Sequence, residues 1–285
     1  MFTRPHLNAL LSSLRGLNLL ALRWLARAWR TLQFAAMILS LALTPSSYSR
    51  VNRLPMVSQI ANGTGMNVLW FTVLCALVSL ILIRIVVVTA FSYGLSKFAL
   101  EMVVRVLVLE LIPLTAAVFV ALRCTLPDGL ELADMRSRGD LQQLARAGID
   151  PVQREALPRV MAGIFSVLLL VAVSCVTSLF LAYLTIYGFS PWGFTGYTRV
   201  VGQVFSPEVS IILIFKTLGF SLAVSIIPMA SALYEKAQSG LAPSAAPFVV
   251  PMHGRAKAAR ELASMVRLFS VILLIEILSL MVNYY

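Results

Sequence analysis

Asp128-Gly-Leu-Glu131-Leu-Ala-Asp134-Met135-Arg136-Ser-Arg138-Gly139-Asp140-Leu141-Gln-Gln-Leu144-Ala-Arg146-Ala-Gly148-Ile149-Asp150-Pro151 is a charged passage set between two long apolar runs. Those runs, residues 100–126 and 157–187, are each long enough to cross a bilayer, since about 20 helical residues span its hydrocarbon core. The passage is therefore a connection between two crossings, and the fold is expected to be an all-α membrane protein. The pattern of the passage itself is helical. Asp128 and Glu131 have the spacing of a capping box. Gly148 can supply the left-handed residue that stops a helix, and Pro151 bars its continuation. These signals predict one helix over 129–147, or two short ones meeting at Gly139. Leu130, Ala133, Leu141, Leu144 and Ala145 form a partial apolar stripe. Six acids and six bases across residues 123–159 make the segment near neutral, unlike a basic patch that seeks anionic lipid. Two readings stand: a helix on which a soluble engine pushes, or a solvated connection with ordinary caps.

Composition supports the membrane class. Hydrophobic residues make up 59% and charged residues 12% of 285 positions, and mean hydropathy is +0.88; soluble domains carry about twice that share of charge. The length suits about five or six spans in one membrane domain. The net charge of +11 does not indicate nucleic acid, because the basic residues flank apolar segments, where they set orientation. Cys75, Cys124 and Cys175 lie in or beside apolar runs without CxxC spacing and read as small buried side chains. Arg15, Arg23 and Arg27 break the N-terminal apolar stretch, which makes it a poor signal peptide. The sequence has no Gly-Lys dipeptide, hence no Walker A phosphate cradle, and no HExxH or GxSxG. With His6 and His253 its only histidines, the chain is not expected to be an enzyme or to hold a metal or cofactor.

Residues 1–65 read as an N-terminal interfacial and elbow region. Within it, 5–31 set Leu19, Leu20, Leu22, Trp24, Leu25 and Trp29 against Arg15, Arg23, Arg27 and Arg30, an amphipathic helix suited to the headgroup plane. Phe34 to Leu43 is too short to span, and 44–65, with Pro45, Pro55, Gly63 and Gly65, is expected to be a loop with short helical turns. Residues 66–285 form the membrane domain, with spans expected at 66–91, 100–126, 157–187, 209–234 and 262–282. Lys and Arg number seven up to residue 65, six in 123–159 and four in 235–261, against Lys97 alone in 92–99 and Arg199 alone in 188–207. With five spans every basic connection falls on one side, which places the N-terminus in the cytoplasm and the C-terminus outside. Trp192, Phe194 and Tyr197 of the opposite loop read as an interfacial aromatic belt.

Mid-span charges are costly in lipid and mark cavities or partners. Glu110 is the strongest of them. Arg105, five residues earlier and roughly 7.5 Å along the axis, is placed to pair with it or to meet a lipid phosphate. A neutral Glu110, hydrogen-bonded between helices to brace Pro113, is the competing structural reading. Arg84, Lys216 and Glu276 are further charges inside spans, for which snorkelling or structural pairing is the plainer account.

From Glu110 to Arg159 the chain resembles the MlaE/YrbE family, permease subunits of ABC-type lipid transporters. The family's Glu-Leu-Gly-Pro signature stands here as Glu110-Leu111-Ile112-Pro113, and Arg123 matches the Arg of its Gly-Arg-x-Gly turn. The Ala-Glu-(Leu/Ile)-Gly-x-Met element stands as Leu130-Glu131-Leu132-Ala133-Asp134-Met135. The helix ending in Asp-Pro matches Leu141 through Asp150-Pro151, and Pro-Arg-x-x-Ala matches Pro158 to Ala162. Spacing from Glu110 to Pro151 runs without gaps. The chain departs from the family where Ile112, Leu122, Thr125 and Ala133 replace glycines, where Leu109 replaces an Arg, and in 240–262, where the Gly- and Thr-rich motif is not recognisable.

The resemblance implies a homodimer in the bacterial inner membrane whose facing spans enclose a phospholipid cavity. It implies a separate cytoplasmic ABC ATPase gripping the connection after the second span, an MCE-domain protein on the periplasmic side, and in some assemblies a STAS-type subunit. Glu110, Arg105, Pro113 and Arg84 are assigned to the lipid cavity on that basis. Arg123, Glu131, Met135, Arg136, Arg138, Leu141, Leu144, Asp150, Pro151 and Arg159 are assigned to ATPase coupling. A secondary transporter using Arg84, Glu110 and Lys216, and a scaffold that anchors an ATPase without transport, are the rival readings; no inverted repeat between the halves is evident, which weakens the first.

Overall fold

A computed structural model describes residues 26, 28–44, 50–95, 98–234 and 253–284, and all their side chains except those of 50–64, 66, 253–261 and 284. Among these residues the chain is helical, with no strand. The helices are α1 (Ala28–Leu43), α2 (Arg50–Ser92), α3 (Ala99–Arg138), α4 (Asp140–Arg146), α5 (Val152–Tyr187), α6 (Phe194–Val204), α7 (Pro207–Tyr234) and α8 (His253–Tyr284). Five segments are long and apolar enough to cross a membrane: Asn67–Ser92, Ala99–Arg138, Val152–Tyr187, Pro207–Tyr234 and Leu262–Asn283. They are the five spans expected from the apolar runs. The proposed interfacial helix over 5–31 lies for the most part outside the described residues.

Two boundaries differ from expectation. Residues 50–65 are not a loop but the first turns of α2. Pro55 comes early in that helix and removes a single backbone bond, and Gly63 and Gly65 each cost only about 1 kcal/mol against a helix nucleated by a bilayer-length apolar body. The second difference is that no helix begins at Asp128. The span α3 runs on through Pro127 to Arg138, so Asp128 sits inside a helix and its neighbours' N–H groups are already taken.

Proline is what α3 and α5 had to accommodate. Each has widened π-helical turns, at Val104–Leu111, Ala121–Thr125 and Val152–Ala156, and each ends two residues before a proline: Pro113, Pro127 and Pro158. A proline lacks the N–H that would bond to the carbonyl four residues back, and its ring collides with that carbonyl. A wide turn relieves the collision without ending the helix.

In lipid, burial of apolar side chains against each other gains little over burial against acyl chains, so close packing decides how helices associate. α2 lies along α5, while α7 packs on α3, α5 and α8. Small residues set the distances. A Cβ on Gly163 of α5 would lie 2.6 Å from Ser225 Oγ of α7 and 2.9 Å from Thr125 Cγ2 of α3, and one on Gly129 would lie 3.1 Å from Pro228 Cβ. These two glycines provide the close approach, while Ile112 and Thr125 are buried where the resembled family has glycine.

At the α6 end, Tyr197 is buried and its hydroxyl donates to Leu179 O (2.8 Å), among the rings of Tyr183, Tyr187 and Phe194. Burial and then the neighbouring Tyr187 push its phenol from 10.0 up to about 12. Trp192 beside it is 90% exposed. At the opposite end Phe34 and Ile38 of α1 pack into a cluster with Leu132, Leu141, Leu157, Val160 and Met229, so α1 braces the connection between α3 and α5.

Candidate functional site

Two polar constructions stand out in this apolar bundle. The first is a buried ionic cluster. Lys216 of α7, its side chain 2% exposed, reaches Glu110 Oε2 of α3 and lies 2.9 Å from Glu276 Oε2 of α8. Asn283 Nδ2 donates to the other oxygen of Glu110 at 3.5 Å. Lys216 Nζ also donates to the backbone carbonyl of Leu109 at 3.3 Å. Leu109 is four residues before Pro113, the position whose carbonyl loses its usual donor to a proline. The Glu110-x-x-Pro113 spacing thus delivers a carboxylate and a freed carbonyl to one lysine, which is a physical reason for that pattern. The Phe220 ring lies under the ammonium, 5.9 Å from it.

Of the other three residues assigned with Glu110, Arg105 and Arg84 are not in this cluster. Arg105 pairs with Glu101 one turn away (3.1 Å), not with Glu110, whose carboxylate is held by Lys216 instead. Arg84 is exposed on α2. Pro113 is buried. Lys216 and Glu276, in-span charges for which structural pairing was the plainer account, join Glu110 here, and Asn283 is the missed member. Glu276 was legible as a mid-span charge, but Asn283, as an ordinary polar residue near a helix end, gave no signal.

The second construction is an elbow between α3 and α5. Gly139, with φ +87°, takes the left-handed conformation and lets α3 turn into α4. Gly148, with φ +79°, ends α4 as the sequence predicts. Asp150 then accepts from the N–H of Val152 (2.9 Å), and Pro151 opens α5 rather than merely barring α4. This is the favoured arrangement of a capping Asp followed by Pro in the first turn.

Arg159 holds the elbow. Only 7% of its side chain is exposed, and its guanidinium lies 3.4 Å from Glu131 of α3 and 3.4 Å from Glu155 of α5. It also meets the Met135 sulfur at 3.8 Å. Glu131 does not reach back to cap a helix as the capping-box spacing suggested; it serves this arginine. Arg136 donates to Ala232 O of α7 (3.1 Å), which makes it a brace to the bundle. Leu141 is buried and Leu144 half-buried in the cluster around Leu132 and Met229. Arg123 is exposed and donates to Asn67 Oδ1 of α2 at 3.4 Å. Arg138, Gln142, Gln143, Arg146 and Asp150 remain exposed, the polar outer face of the elbow.

A bundle of five bilayer-length helices, with charge buried among three of them and a braced polar elbow at one end, is a multi-pass membrane protein of transporter design. Residues 56–282 match the family described as Permease MlaE, and the chain belongs to that family. It is accordingly a membrane permease of the ABC-type lipid-transport class, not itself an enzyme. Among curated proteins no match to the chain is found.

Proposed function

We propose that this chain moves phospholipid, or a closely related lipid, between the inner membrane and the periplasmic side, driven by a separate cytoplasmic ATPase. The N-terminus and the elbow are then cytoplasmic and the C-terminus periplasmic, in keeping with the Lys and Arg counts. Two copies enclose the lipid, an MCE-domain protein meets the α6 end, and a STAS-type subunit joins in assemblies that have one. Glu110, with Pro113, Arg105 and Arg84, serves the lipid pathway.

The observation that carries this reading is the Arg159 clamp. The buried guanidinium ties the connection to both of the spans it joins. Here Arg159 joins α3, through Glu131 and Met135, to α5 through its own backbone and Glu155. A push on α4 therefore moves two spans together, which is what coupling to an external engine requires. The face left open for that engine includes Arg138 and Arg146. Arg138→Glu combined with Arg146→Glu is expected to abolish recovery of the ABC ATPase with the affinity-tagged chain, while the permease itself stays folded. Undiminished recovery would rule out docking on this face.

A further inference from the structure

The cluster around Lys216 does not balance its charge. Two carboxylates, Glu110 and Glu276, surround one ammonium, and the side chains are 15%, 11% and 2% exposed respectively. No other charged group of the described residues enters it: Arg105 is held by Glu101, and Arg267, further along α8, turns back to Ala263 O. The polar neighbours are Asn283 of α8 and the Leu109 carbonyl of α3. Glu110 lies 11 residues from the start of α3, roughly 16 Å down the helix. That depth is near the middle of a hydrocarbon core about 30 Å thick. A net negative charge there has no solvent to stabilise it.

The geometry also shows where relief comes from. Glu276 Oε2 is buried and, although 2.9 Å from Nζ, has no hydrogen bond of proper geometry. Both carboxylates turn their Oε2 atoms to the same ammonium nitrogen, which sets them side by side. An O–H on one carboxyl can therefore donate to the other, while Lys216 neutralises the charge that remains. Asn283, half-buried at the end of α8, links Glu110 toward the surface.

We infer that Glu110 and Glu276 share one exchangeable proton beside Lys216, so that this permease carries a proton-binding site inside its membrane domain. Binding forms one carboxyl O–H bond from a bulk proton and a carboxylate, and brings the cluster from net −1 to neutral. Any rearrangement that separates α3 from α8 leaves one carboxylate without its partner and releases or admits that proton. The binding site stands on the cluster alone and does not depend on which lipid is moved.

Infrared difference spectroscopy of the full chain in phosphatidylcholine vesicles at neutral pH tests this. Wild type minus Glu276→Gln and wild type minus Glu110→Gln should each show a protonated-carboxyl stretch that shifts in D2O. In either variant the remaining acid pairs with Lys216 as an anion, so the shared proton is lost. Glutamine mimics the neutral acid in size, and helicity by circular dichroism identifies a variant that has folded. If one variant fails to fold, the other decides. A difference spectrum without that band for a folded variant overturns the inference.

Discussion

Removing the cation from the buried cluster should be far more damaging than removing either anion. Lys216→Met keeps the length of the side chain but strands the shared negative charge of Glu110 and Glu276 in the bundle and leaves Leu109 O, already deprived of a donor by Pro113, without the lysine's bond. Breaking a buried ion pair from one side costs about 3–5 kcal/mol. An orphaned carbonyl adds about 1–3 kcal/mol. Uptake of protons by the carboxylates offsets part of both, leaving an expected loss of about 4 kcal/mol for the single variant. Replacing all three side chains, as Lys216→Met with Glu110→Gln and Glu276→Gln, removes the stranded charge and should recover all but about 1 kcal/mol. Reversible unfolding in mixed micelles of increasing SDS fraction, followed by circular dichroism, measures each variant. The reasoning fails if Lys216→Met lies within about 1 kcal/mol of wild type, or if the triple variant is no more stable than the single one.

Gly163→Val should destabilise the bundle by about 1–3 kcal/mol, since even a Cβ there would sit 2.6 Å from Ser225 Oγ; the same SDS titration checks it, with Gly202→Val, at an open position, as the control. Asp150→Ala removes the cap on α5 and should lower stability by about 1 kcal/mol, detected as faster amide exchange in residues 152–156. Tyr197→Phe deletes the bond to Leu179 O and should lower stability by about 1 kcal/mol. Because the folded phenol is held above its unfolded value, that contribution is full below pH 10 and is lost as pH rises through about 12; the wild-type advantage over Tyr197→Phe should shrink over that window.

The spans were legible because a bilayer demands long apolar helices with internally paired backbones, and few other features of sequence are so uniform. The ends of α4 were legible for a similar reason: Gly139 and Gly148 act through their own backbone and need no distant partner. What escaped the sequence was long-range. Lys216 stands 106 positions after Glu110, and nothing local distinguishes a lysine that closes a cluster from one that snorkels. Arg159 was legible as a motif residue, but nothing local marks Glu155, one turn earlier, as its partner. The prolines misled in a different way. Pro127 reads as the end of a span, and only the wide turn before it explains why α3 continues to Arg138.

The uninterrupted course of α3 has a consequence for how a stroke could reach the lipid. Its 40 residues form a strut roughly 60 Å long, with Met135 near one tip and Glu110 about a quarter of the way from the other. Rotation or thrust applied at that tip arrives at the carboxylate without a loop to absorb it. The two π-helical turns are the compliant joints of the strut. Were either to migrate by one residue, the side chain it passed would swing by about 100° around the axis, enough to face a different neighbour while every span stayed in place.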